Sequence, residues 1–202
     1  MSVLIYIAAM IDFGLFFQMG YEHIADLNGI DHILFVAALC IRYQFADWKK
    51  LLWLVTAFTL GHSITLALSV FNIVNYSVNW IEFLIPVTIV ITAFSNVFVK
   101  KFVYKAKFPL IYFFAAFFGL IHGLGFSNYL KSLLSKEGNI VPELLAFNLG
   151  LEAGQLVIVL AILFISLIFV QLFKINRREY LLYISGGIFA IALQMALERL
   201  PF

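Results

Sequence analysis

From Ala153 to Leu172 the chain reads AGQLVIVLAILFISLIFVQL, twenty residues without a charged side chain. A helix of that length spans about 30 Å, the thickness of a bilayer's hydrocarbon core. Such runs recur along the sequence: 64% of its 202 residues are hydrophobic and only 12% are charged. A water-soluble domain carries about a quarter of its residues as charges. In a bilayer the backbone must pair within the protein, and these runs lack the alternation of a barrel strand. The expected fold is all-α, a polytopic transmembrane helical bundle.

About seven spans are expected, at 2–20, 30–45, 50–72, 79–99, 108–130, 142–172 and 180–198. The second is short for a crossing and the sixth is long enough to tilt. No repeat of a few tens of residues and no long linker divides the chain, so residues 1–202 read as one domain. The N-terminus has no basic residue before Arg42 and reads as a retained membrane segment, not a cleaved signal.

Basic residues cluster after spans two (Arg42, Lys49, Lys50), four (Lys100, Lys101, Lys105, Lys107) and six (Lys174, Arg177, Arg178). The positive-inside rule puts these loops in the cytoplasm, with the N-terminus inside and the C-terminus outside. A net charge of +2 gives no reason to expect nucleic acid, leaving lipid as the surrounding partner. The lone Cys40 excludes an internal disulfide and reads as packing.

Within this oil the stretch YEHIADLNGIDHILF, Tyr21 to Phe35, holds Glu22, His23, Asp26, Asp31 and His32. An ionisable group in a membrane needs a partner or a function. Asn28 or Asp31 could cap the second helix, with His32 in its first turn. Imidazole nitrogen with carboxylate oxygen suits Ni, Co, Zn or Fe.

His62 falls about 16 Å along the third span and His122 about 21 Å along the fifth, counted at 1.5 Å per residue. The seven-span topology then puts all four histidines between the midplane and the outer face. His62 could alternatively be hydrogen-bonded across helices to a serine or threonine. Asn148, Glu152 and Gln155 step by four and three along one face of the sixth span. Glu82 stands near the start of the fourth, where it could simply face water. Gly61, Gly119, Gly123, Gly150 and Gly154 mark close helix packing.

The motifs HIADLNGIDHILFVAAL, FTLGHSITLAL, GLIHGLGFS and FNLGLEAGQL, in this order, resemble the HupE/UreJ family of bacterial membrane proteins. Members of that family are associated with hydrogenase and urease systems and are regarded as nickel or cobalt permeases. The resemblance implies a bacterial inner-membrane protein that handles a metal at His23, Asp31, His32, His62, His122 and Glu152. Ile24 stands where many members have a proline, so the chain looks more like the family's second branch, whose substrate is not settled.

Two functions are therefore expected in order. The first is a transition-metal permease of nickel/cobalt type, with Ni, Co or Zn held by His23, Asp26, Asp31, His32, His62, His122 and Glu152. Glu22, Ser63, Glu82, Asn148 and Gln155 would support the site or line its pathway. The second is an intramembrane metal-dependent hydrolase acting on a lipid or lipid-modified substrate, with Glu152 as general base. Polar residues are sparse in the cytoplasmic half of the spans, which suits the second better.

Overall fold

The computed structural model describes residues 3–27, 29–100, 102, 110–133 and 140–202, with side chains described from Phe13 onward. It contains α1 (Val3–Ala25), α2 (Asp31–Cys40), α3 (Trp48–Val70), α4 (Val78–Ser95), α5 (Leu110–Leu133), α6 (Ile140–Leu167) and α7 (Arg177–Glu198). No strand occurs among the described residues. Each expected segment overlaps one of these helices.

Five segments, those of α3 to α7, are long and apolar enough to cross a membrane, and the chain is a multi-pass membrane protein. With ten residues, α2 is only about 15 Å long and cannot cross alone. Lys101, Lys105 and Lys107, expected in a cytoplasmic loop, lie outside the described residues, as does the possible cap Asn28.

Local chemistry sets the reversals. After α3 the chain turns at Asn72 (φ 56°), a residue type that tolerates the left-handed region, and after α6 it turns at Lys174 (φ 55°). Asn176 then caps α7 by accepting from the amides of Arg178, at 2.8 Å, and Glu179, at 3.4 Å.

One end of the bundle is held by guanidinium groups. Arg42, just past α2, donates to Ser95 Oγ (2.8 Å) and to Asn96 at the end of α4. Arg178 donates to the carbonyls of Asn96, Val97 and Val99, and Arg177 to that of Arg42. Carbonyls past a helix's last turn lack partners within the helix, and a cation there also opposes the dipole's negative end. The ends of α2, α4 and α6 and the starts of α3, α5 and α7 gather at this basic end.

Helix directions follow from the order of contacts. A methyl on Gly150 would overlap the Phe17 carbonyl; one on Gly154, a turn later, would meet Tyr21 and Ile24. Thus α1 and α6 advance together, toward the basic end. Likewise Gly119 abuts Phe58 and Gly123 abuts His62 and Thr65, so α3 and α5 are parallel, both leading away from the basic end.

This corrects the alternating topology, in which α1 and α6 would be antiparallel and α1 would share the direction of α3. The reason lies in α2. It does not fold back along α1: its start is tied to the far end of α7 by Asp31 and Arg199 (2.9 Å), and its end reaches the basic pole. Both α1 and α2 therefore run toward the basic end, α1 ending at Ala25 and α2 beginning at Asp31.

Candidate metal centre

Where α1 ends and α2 begins, two imidazoles face each other. His23 is in the last turn of α1 and His32 in the first turn of α2, with ring centroids 4.6 Å apart. Both rings lie 6.0 Å from that of His62 in α3, and the His122 ring in α5 lies 5.1 Å from His32. His32, His62 and His122 are buried and His23 is half-buried. Four helices, the consecutive α1 and α2 and the more distant α3 and α5, thus converge on one point.

One nitrogen from each of His23, His32 and His62 lies within 4.8 Å of the others. A metal bonded to nitrogens at about 2.0–2.1 Å holds them roughly 3.4 Å apart, so small ring rotations would close the triad on an ion. The availability of the nitrogens carries more weight. His23 Nε2, His32 Nε2, His62 Nδ1 and Nε2, and His122 Nδ1 are all buried without a hydrogen-bond partner in the protein. Buried polar atoms are paired in the great majority of cases, and five orphaned nitrogens in one cluster fit a divalent cation.

Thr88 fixes the fourth histidine. Its hydroxyl donates to the Ile85 carbonyl at 2.7 Å and lies 3.0 Å from His122 Nε2. With its only proton so used, Thr88 Oγ accepts, and Nε2 must carry the ring's hydrogen. The free lone pair is then on His122 Nδ1. A hydrogen bond to the other ring nitrogen is the usual device for setting a metal-binding imidazole.

Aromatic rings wall the cluster. Phe126 packs 3.8 Å from His23, centroid to centroid, and Phe35 and Phe58 lie 5.0 and 5.3 Å from His122. On the side away from the basic end, an open depression of about 780 Å³ reaches His23, bordered by Met19, Glu22, Asp26, Phe126 and Tyr129.

The expected carboxylates lie elsewhere. Asp31 opens α2; its Oδ2 accepts from Arg199 at 2.9 Å, while its Oδ1 is buried without a hydrogen-bond partner among the described residues. Nor does it cap the helix: the N-cap is Ile30, without a side-chain hydrogen bond. Asp26 lies just beyond the end of α1, exposed at the mouth, and the exposed Glu22 accepts from Gln18 Nε2 at 2.7 Å. Glu152 is half-buried, accepts from Thr56 Oγ at 2.7 Å, and is not grouped with the imidazoles. Gln155 accepts from Thr59 at 2.8 Å. The α6 stripe is therefore met by threonines of α3, one turn apart.

Asn148 donates to the Leu144 carbonyl and Ser63 to that of Thr59, while Glu82 is exposed at the start of α4. Among the described residues the His62 ring makes no hydrogen bond to a serine or threonine; only its backbone carbonyl accepts from Thr65 Oγ, at 3.3 Å. The ring bond belongs to His122, through Thr88, which the sequence reading missed. Its signal was the spacing Thr88, Thr92, Ser95 on one face of α4.

The family model described as HupE / UreJ protein matches residues 2–199. Neither the curated proteins nor the solved structures contain a match.

Proposed function

We propose that this chain, which belongs to the HupE/UreJ family, is a transition-metal permease whose ion rests on His23, His32, His62 and His122. The family ties it to nickel/cobalt transport-related membrane proteins. The observation that carries the reading is the convergence of four imidazoles with orphaned nitrogens beside a helix break. Interrupted helices place ion sites inside transporters, and the carbonyls freed at the end of α1 add negative potential there. Asp31, in the first turn of α2, offsets that helix's positive end.

The ion approaches past Glu22 and Asp26 at the mouth. Glu152, Gln155, Thr56 and Thr59 form a neighbouring polar seam. Neutral imidazole without thiolate accepts Ni, Co or Zn and lets each go.

Six crossings follow from the helix directions, with α1 and α2 sharing the first. The basic end then faces the cytoplasm, and both termini lie outside. The membrane is the bacterial inner membrane. A hydrolase needs a general base within hydrogen-bond reach of a metal-bound water, and Glu152 is engaged with Thr56 instead.

The test is elemental mass spectrometry of purified protein equilibrated with Ni, Co or Zn, together with metal uptake into proteoliposomes. The wild type is expected to bind and move one of these ions. His32→Ala and His122→Ala should lose both properties while keeping a wild-type melting profile. Unchanged metal content in both variants would overturn the site.

A further inference from the structure

The two tightest helix pairs of the molecule are copies of each other. Gly20 and His23 of α1 recur 99 residues later as Gly119 and His122 of α5; Phe58, Leu60 and Gly61 of α3 recur 89 residues later as Phe147, Leu149 and Gly150 of α6. The packing repeats atom for atom. A methyl on Gly20 would overlap the Phe147 carbonyl and lie 3.0 Å from Leu151 N; on Gly119 it would overlap the Phe58 carbonyl and lie 3.0 Å from His62 N. On Gly150 it would overlap the Phe17 carbonyl, 3.0 Å from Tyr21 N; on Gly61, the Ala116 carbonyl, 3.0 Å from Leu120 N. Even the next turn corresponds, with Ile24 against Gly154 in one pair and Gly123 against Thr65 in the other.

The pairs are exchanged between the halves: α1 packs on α6, and α5 on α3. They are also inverted, because α1 and α6 run toward the basic end while α5 and α3 run away from it. In each half the next helix, α4 or α7, packs against its counterpart, through Phe94 and Phe189 and through Asn96 and Ser185 (2.9 Å). Inverted repeats of this kind bind their substrate where the halves meet and carry it by letting the halves exchange conformations. His23 and His122, the repeated histidines, flank the metal centre.

We propose that α1–α3–α4 and α5–α6–α7 are inverted repeats whose exchange opens an exit toward the basic end, along α4 and α5. The proposal rests on the permease reading. The correspondence says where the exit lies. Met19, which borders the present mouth, maps to Phe118; Glu22 maps to Ile121.

A groove of about 300 Å³ lies between α2, α4 and α5 on the basic side of Phe118, with Arg42, Thr92 and Ser95 on its wall. Phe118 lies 5.9 Å from Phe35, whose ring is 5.0 Å from that of His122. An aromatic barrier thus separates the groove from the imidazoles. Thr88, Thr92 and Ser95 each give their proton to a carbonyl of their own helix; Thr88 Oγ then accepts from His122 and Ser95 Oγ from Arg42, and the Thr92 oxygen between them faces a passing cation. These hydroxyls supply the polar lining toward the cytoplasm.

The test uses single cysteines in the full-length Cys40→Ala protein, at Met19, Phe118 and, should Phe118→Cys fold poorly, Ile121. Proteoliposomes are labelled with a membrane-impermeant thiol reagent from each side during a Ni or Co gradient, and flux is measured in parallel. Expected is labelling of Met19→Cys only from the side away from the basic end and of Phe118→Cys or Ile121→Cys only from the basic end. Thr92→Trp, which plugs the groove, should then reduce the basic-side labelling at least tenfold without slowing that of Met19→Cys. Measurable flux with no basic-side labelling at either α5 position would overturn the proposal. Side-specific labelling without flux of any ion would retain the exchange and remove the permease reading.

Discussion

His62 brings two ring nitrogens into the interior and pairs neither of them. An unsatisfied buried polar group costs about 1–3 kcal/mol, so without an ion this histidine works against the fold. His62→Leu, which installs the residue found at the matching position of α6, is expected to abolish metal retention and leave the melting temperature of the metal-free protein equal or higher. A lower melting temperature would assign His62 a structural bond instead. Thr88 makes the converse case. Thr88→Val removes the acceptor that holds hydrogen on His122 Nε2 and should weaken metal binding about 10–100-fold, the usual effect of losing such a support. Thr88→Ser keeps the oxygen and should bind as the wild type does. Isothermal titration of both variants with the transported ion checks this.

At the scale of elements, glycine decides which helices touch. Gly150 and Gly119 place backbone against backbone, and no rotamer change can relieve a side chain inserted there. Gly150→Leu is expected to destabilise by more than the 1–3 kcal/mol of ordinary overpacking, seen as lost monodisperse yield in detergent. Gly186 of α7 has open space where its Cβ would stand, and Gly186→Ala should leave yield and melting unchanged. Equal behaviour of the two substitutions would refute the account of α1 on α6. The short α2 follows another logic: its two ends are held by Arg199 and by the Arg42–Arg177 contacts, so its direction is imposed by α7.

For the whole molecule, the six crossings we propose put both termini on one side. Reporter fusions active only in the cytoplasm or only outside it should give the same answer at the N- and C-termini, and the opposite answer at Gln44, in the turn between α2 and α3. Opposite answers at the two termini would restore the seven-span arrangement. The interior of the described bundle is built around the imidazoles, with Phe35, Phe58 and Phe147 fully buried beside them.

Sequence by itself determined the helical class, the number and place of the helices, the family and the histidines of interest, because apolar runs and intramembrane titratable groups are local and costly signals. Helix packing at Gly61, Gly119, Gly123, Gly150 and Gly154 was legible for the same reason: a small residue every fourth position has few other uses in lipid. Direction was not, since a break and a hairpin look alike in hydropathy, and where the first two spans were expected to be antiparallel, α1 and α2 run the same way. The partners of the carboxylates were not legible, because spacing along a helix says which face a residue shares and not which helix faces it: Asp31 meets Arg199 and Glu152 meets Thr56 only in three dimensions. The repeat, offset by 99 residues in one helix and 89 in another, emerged only when tertiary contacts matched the two pairs.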